Sequence, residues 1–331
     1  MGRSSQQGGW SRRRFLRAAA GAAAAGPFVR PRGLAALDTV RLGMWSPRLA
    51  EQTNIFVCEE RGFFKDEGIE MTWVPGVGSG AALRNVIAGN ADIGFVGPEA
   101  IYFAADKGEK IKAVYNIYPQ NCFNVFAFKR HKIARPADLV GKKVGVLSME
   151  SGTRYNLETL LAVNNIKRPD IEMIAVGLNP VPALQSDQIQ AMAMTDSMLH
   201  TLQYRGLDSV DVIWCRDYLN RPSDVFAVLE RDFKAKRDLV RRFLRAYRKG
   251  TEWTIQHPEE AVPYGVKHAV DGKDPALVLG NIKIRIVGTS QTLTTKQKGL
   301  GWFDLPVLKE GAAAYRKAAL IKADLDIETI F

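Results

Sequence analysis

The chain is poor in the residues that build metal and redox centres. Its 331 residues hold three cysteines, Cys58, Cys122 and Cys215, and no two of them stand as C-x-x-C, so neither a zinc site nor a dithiol motif is written here. The four histidines, His131, His200, His257 and His268, are dispersed without an H-x-H or H-E-x-x-H spacing, and no metal or cofactor is expected. Cys122 stands beside Asn121 with no histidine in a paired context, which argues against a thiol nucleophile. Gly76, Gly78 and Gly80 form G-x-G-x-G, but without the third-glycine spacing of a dinucleotide fingerprint or the lysine of a P-loop.

Long apolar runs are also lacking. The blandest stretch, AAAGAAAAGPFV, is about a dozen residues and at ~1.5 Å per residue cannot cross ~30 Å of hydrocarbon. Acidic residues are missing from the first 37 positions, which carry Arg3, Arg12, Arg13, Arg14, Arg17, Arg30 and Arg32. Ser11-Arg12-Arg13-Arg14-Phe15-Leu16-Arg17 fits the twin-arginine pattern S-R-R-x-F-L, with arginine for the usual final lysine. Residues 1–37 are therefore read as an export signal, cut just before Leu37 or Asp38. The formal charge of +11 falls accordingly, because 39 basic residues then face 35 acidic ones. That balance gives no reason to invoke nucleic acid. Lys234, Lys236, Arg237, Arg241 and Arg242 fall on a periodic helix and read as a solvated face.

What is present is a repeated strand–helix grammar. Val40 to Trp45 reads as a strand, Ala50 to Gly62 as a helix, and IEMTWVP from Ile69 as a second strand. The glycines at 76, 78 and 80 then permit a sharp turn, and Ser79 stands where an N-cap belongs. A helical run through Ala82, Leu83, Val86 and Ile87 ends at Gly89-Asn90. Asp92 to Val96 is short enough for a buried strand, closed by Gly97-Pro98. After Lys112 to Tyr118, the pattern restarts with a strand at 141–147, a glycine- and serine-containing turn, and a helix from Thr153 to Asn165. Partner strands are expected at Ile171 to Val176, Ala191 to Thr195 and Val210 to Trp214. Asn124 to Lys129 and Val225 to Glu230 bracket this second unit and are expected to form the hinge. Beyond Arg231 the chain turns helical, with further helices at Pro258 to Ala269, Pro275 to Ile284 and Thr295 to Lys309.

The run ERGFFKDEGIEMTWVPGVGSGAALRNVIAGNADIGFVGPEA, followed by DLVGKKVGV and SGTRY, resembles the core signature of periplasmic substrate-binding proteins for nitrate, sulfonate, taurine and thiamine-precursor import. The similarity covers roughly residues 40 to 230. It implies an α/β, two-lobe periplasmic-binding-protein-like fold, each lobe a mixed sheet flanked by helices, joined by two crossing hinge segments. Lobe 1 is expected at 38–122 and 226–331 and lobe 2 at 123–225. One element departs from the family pattern. The usual L-x-x-G-x-V-D-A reads LQSDQIQAMAMTD, with Asp187 for glycine and Gln190 for aspartate.

Strand ends of α/β sheets are where ligands bind. The expected contacts are Trp45 and Ser46 after the first strand, Gly78 and Ser79 after the second, and Gly97, Pro98 and Glu99 after the third. Asn121 follows at the hinge, and the second lobe adds Glu150, Ser151, Gly152, Thr153, Tyr155, Thr195 and Asp196. Ser151 and Thr153 precede a helix and serve equally as caps, and Trp45 serves equally as core. The expected function is that of a non-catalytic solute receptor, monomeric and periplasmic, which delivers one small molecule to an ABC permease with a cytoplasmic ATPase. Glu99, Glu150 and Asp196, with the rings of Trp45, Tyr118, Phe123 and Tyr155, favour a nitrogen heterocycle such as a thiamine-type pyrimidine. Arg154 is the only obvious guanidinium beside a turn. Two alternatives stay open: a sulfonate, nitrate or taurine binder using the helix N-termini at Ser79 and Thr153, or an enzyme resembling thiamine-pyrimidine synthases, whose C-C-C-F-C signature is absent.

Overall fold

Alternation of apolar residues makes the first strand. β1 (Asp38–Met44) buries Val40, Leu42 and Met44 completely, as a period of two requires of a strand with one face on a core. The computed structural model describes Met1 and residues 36–331, so the export-signal reading lies outside the described residues. β1 pairs in parallel with β2 (Ile69–Pro75) from Asp38↔Ile69 to Met44↔Pro75, and with β3 (Ile93–Val96). β4 (Ile111–Tyr118) leads across to β5 (Phe123–Phe128), the first strand of a second sheet.

That sheet continues with β6 (Lys143–Val146), β7 (Glu172–Ala175), β8 (Ala191–Thr195) and β9 (Val210–Trp214), after which β10 (Asp224–Leu229) returns to the first. The strand orders are β2-β1-β3-β10-β4 and β7-β6-β8-β5-β9. In each sheet three parallel strands meet a fourth and fifth through antiparallel pairing. The fourth position is taken by the strand that has just arrived from the other lobe. The protein is therefore an α/β fold of two mixed sheets flanked by helices.

The strands expected at the hinge lie within the two sheets rather than between them. β5 and β10 are buried at every residue and bonded on both sides within their sheets, so the ladders on either side hold their backbone straight. The chain crosses between lobes just before them, at 119–122 and 215–223. Asn121 ties those two crossings together: its Nδ2 donates to Leu219 O at 3.0 Å, and its backbone N–H donates to Asn220 Oδ1 at 3.0 Å.

The first core centres on Phe226, whose ring meets Phe95, Phe243 and Tyr247 edge-on from the helix Arg237–Gln256 on one side and the sheet on the other. Two helix expectations are corrected. Thr295 to Lys309 is not one helix but two, Leu293–Lys298 and Leu305–Lys317. Gly299 and Gly301 between them hold φ of 91° and 92°, a region open to glycine. The chain there runs beside β4, where Asn116 N–H donates to Gly301 O at 3.0 Å. The helix Pro275–Asn281 passes into a π-helix, Ile282–Gly288, whose wider turn carries Arg285 into the interior.

Candidate functional site

The C-terminal ends of β1, β2 and β3 open on one edge, and those of β6 and β8 face them from the second sheet. Parallel register fixes this: Met44 stands opposite Pro75, so the turns that follow lie side by side and Gly78 N–H donates to Trp45 O at 2.8 Å. The two sets of turns touch. Gly80 N–H donates to Glu150 O at 3.2 Å, and Ser148 Oγ donates to Val77 O at 3.2 Å. A Cβ at Gly78 would stand 2.6 Å from Glu150 O; glycine at this position is what lets the lobes meet.

Behind that contact lies a cavity of about 390 Å³, within the range of sites that enclose a whole small organic molecule. Trp45, Leu49, Phe123, Leu147, Met194, Met198 and Leu277 give it apolar walls, and its polar positions include Glu51, Asp224, Asp271, Asn179, Asn281, Ser197, Thr201 and the cation Arg205. Of the residues expected from sequence, Trp45, Gly78, Ser79, Ser151, Gly152, Thr153 and Thr195 line it. The indole Nε1 of Trp45 has no partner among the described residues.

The other expected contacts have different work. Ser46 is buried under the first turn, where its Oγ donates to Pro47 O and accepts from Gln52 Nε2. Ser79 is not the N-cap; Gly78 is, and Ser79 Oγ accepts from Gly97 N–H at 3.0 Å, which pins the second turn to the third. Gly97 and Pro98 form the start of the helix Pro98–Asp106 behind the wall. Glu150 reaches out to Arg84 on the surface, and Tyr155 packs its ring against Phe103, its hydroxyl held up to about 12 by burial. Ser151 does cap the helix Gly152–Val163, accepting from Arg154 N–H, and its Oγ is shared with Ser148 and Thr153. Thr153 Oγ1 accepts from Leu147 N–H at 2.9 Å. These hydroxyls are spent on the turn. Tyr118 lies beneath Arg285 outside the wall, and Arg154 pairs with Glu158.

Glu99 and Asp196 are interior ion-pair partners. Glu99, fully buried, meets Arg221 at 3.1 Å, and Arg221 also donates to Asn156 Oδ1 and to the Tyr315 hydroxyl, both at 3.1 Å. Burial pushes the Glu99 carboxyl up, with Arg221 opposing. Asp196 lies 2.8 Å from Arg285, which also lies 3.2 Å from Glu51 and donates to Cys122 Sγ. Burial raises Asp196 to about 6 against the pull of Arg285. Both guanidiniums link residues that follow strands of different sheets. Ser197 Oγ adds a direct bond to Glu51 Oε2 at 3.1 Å.

Asp224, the first residue of β10, was missed by the sequence reading. It lines the cavity at 4% exposure and makes no ion pair or hydrogen bond through its carboxyl among the described residues. Burial holds that carboxyl well above its ordinary range, the nearby acids Glu99 and Glu51 adding to the effect and Arg285 and Arg221 opposing it. Glu51, Arg221 and Arg285 were missed as well. For Asp224 the available signal was a charged residue set directly against the apolar run VFAVL; Arg285 shares its run, IKIRIV, with Lys283, and Glu51 and Arg221 stand in no apolar run.

The broken family pattern turns out to be structural. Asp187 takes φ of 58°, the left-handed conformation that aspartate tolerates in place of glycine, and pairs with Arg130 and His131. Gln190 Oε1 accepts from Lys143 N–H at 3.0 Å. Neither reaches the cavity.

Comparison with known proteins adds four findings. The family described as NMT1/THI5 like matches residues 50–261. The riboflavin-binding protein RibY of Chloroflexus aurantiacus is 24% identical over 95% of this chain and 89% of its own length. The 4-amino-5-hydroxymethyl-2-methylpyrimidine phosphate synthase of Legionella pneumophila is 24% identical over 63% of this chain and 67% of its own. In fold, the alkanesulfonate-binding protein SsuA of Xanthomonas axonopodis pv. citri, solved bound to MOPS, superimposes with a TM-score of 0.67 at 16% identity, covering 89% of this chain and 98% of that one.

Proposed function

This chain belongs to the NMT1/THI5-like family, and on that premise we propose that it is a non-catalytic solute receptor of an ABC import system. It is exported by the twin-arginine route to the periplasm, works as a monomer, and passes its solute to a membrane permease driven by a cytoplasmic ATPase. The two lobes, read from sequence as 38–122 with 226–331 and 123–225 and divided here at the crossings 119–122 and 215–223, close over the solute by bending at those crossing segments. The solute is a nitrogen heterocycle. A relative named for riboflavin and one named for a pyrimidine point the same way.

The observation that carries this reading is the cavity wall: apolar and aromatic side chains around Glu51, Asp224 and Asp271. Flat apolar faces suit a ring, and the buried acids Glu51 and Asp224 disfavour an anion such as nitrate or a sulfonate, while the lining cation, Arg205, is exposed. The hydroxyls of Ser151 and Thr153, which an anion at the helix N-terminus would use, are already engaged. The test is native mass spectrometry of protein purified from its own host, which would weigh a retained solute, followed by a calorimetric panel of pyrimidines, flavins, taurine, alkylsulfonates and nitrate. Micromolar binding of a ring compound is expected. Micromolar binding of nitrate or a sulfonate with no ring compound bound would sink the heterocycle reading, and turnover of a bound pyrimidine would sink the non-catalytic one.

A further inference from the structure

Four carboxyls, Glu51, Glu99, Asp196 and Asp224, are gathered at the base of the cleft around two buried guanidiniums, Arg221 and Arg285. The pairing is unequal. Glu99 pairs with Arg221, Glu51 and Asp196 share Arg285, and Asp224 feels the field of both guanidiniums without an ion pair to either among the described residues. A buried acid without a partner is costly, and such positions persist where something else supplies the missing donor. Asp224 is the member of the set that both lacks a partner and lines the cavity, with Phe123, Met194 and Met198 on the same wall.

Resting on the ring-solute reading above, the geometry points to Asp224 as the residue that selects the solute, by pairing with a ring edge that presents an N–H donor: a lactam, imide or amino-substituted pyrimidine edge. An ionised carboxylate accepts from such an N–H. A protonated one exchanges two hydrogen bonds with it, its O–H donating to the ring's carbonyl oxygen or imine nitrogen while its C=O accepts from the N–H. The high protonation tendency that burial gives Asp224 favours the second arrangement. Rings that carry only acceptors offer nothing to the carboxyl's accepting oxygen and make at most one of the two hydrogen bonds, and an anion is repelled by the carboxylate form, so both are selected against. The same logic makes the empty receptor strained at this position and lets the correct solute relieve the strain.

Calorimetry on the full mature protein and on Asp224→Leu and Asp224→Asn tests this with matched probes: riboflavin against its N3-methyl derivative, and 4-amino-2-methylpyrimidine against its dimethylamino analogue. The wild-type protein is expected to bind a parent ring roughly 10- to 100-fold more tightly than its N-methylated partner, the effect of one hydrogen bond to a charged or buried acid. In Asp224→Leu that ratio should collapse to near one. Asp224→Asn, a neutral isostere, should fold, melt no lower than wild type in the absence of ligand, and show an altered ratio. A purely structural role would weaken both members of a pair alike and leave the ratio intact, and that result overturns the inference while sparing the ring-solute reading. Failure of the wild-type protein to bind any parent ring overturns both.

Discussion

A single methyl group at position 78 should uncouple closure from folding. Gly78 has φ of 98° and ψ of 165°, a conformation essentially reserved for glycine, and alanine there carries ~1–3 kcal/mol of backbone strain. That strain acts in the open and the closed protein alike. The second effect acts only when the lobes are shut: the new Cβ would stand 2.6 Å from Glu150 O, 2.8 Å from Glu150 C and 2.9 Å from Ser151 Cα, where even a close C···O contact needs ~3.3 Å. Opening by about 0.7 Å to relieve it stretches the Gly80–Glu150 and Ser148–Val77 hydrogen bonds, each 3.2 Å long. At ~0.5–1.5 kcal/mol apiece, the closed state loses ~1–3 kcal/mol, and affinity falls about 5- to 150-fold. Gly89→Ala is the control, because Gly89 has φ of 77° with nothing within 4 Å of where a Cβ would stand. It should lower stability by about 1 kcal/mol and leave affinity alone. Calorimetry gives the affinities, denaturant melts the stabilities, and X-ray scattering whether ligand still shrinks the radius of gyration. Equal loss of affinity in both variants, or none in Gly78→Ala, would refute the account of closure.

Three further outcomes follow from the buried charges and the leader. Arg285→Met strands Glu51 and Asp196 and should destabilise the protein by about 3–5 kcal/mol in denaturant melts, with a smaller loss at pH 5 than at pH 7.5, because Asp196, already raised to about 6, takes up a proton as pH falls. Asp196 is raised from 3.8 to about 6, so the stability it contributes is complete below about pH 4 and is lost as pH rises through about 6; Asp196→Asn should flatten the melting temperature across that window, and an unchanged slope counts against the assignment. Replacing Arg12 and Arg13 together by lysine should stop export of the folded chain, read by fractionation; mature protein reaching the periplasm at normal level would exclude the twin-arginine route.

The fold was legible because its instructions are local. Alternation over Asp38–Met44, the short apolar runs of β3 and β8, and the glycine turns between them determine strands, helices and the edge on which their connections lie. The same locality explains why the helical tail was misread at Gly299 and Gly301: residues around them have helical propensity, and only the hydrogen bond from Asn116 on a distant strand makes the extended path the better one.

The site was half legible for a related reason. Sequence placed the right turns on the cavity, and Trp45, Gly78, Ser79, Ser151, Gly152, Thr153 and Thr195 reach its wall. It could not say which acid would face the solute. Glu99, Glu150 and Asp196 stand in those turns, yet Arg221, Arg84 and Arg285 claim them, while Asp224 at the head of a strand stays unclaimed. A residue's place along the chain sets which turn it joins, and that is a matter of backbone periodicity. Whether its charge is neutralised depends on guanidiniums brought from up to 122 residues away, and only the packed tertiary structure decides that, because an ion pair needs atoms within a few ångströms and the chain alone sets no such distance.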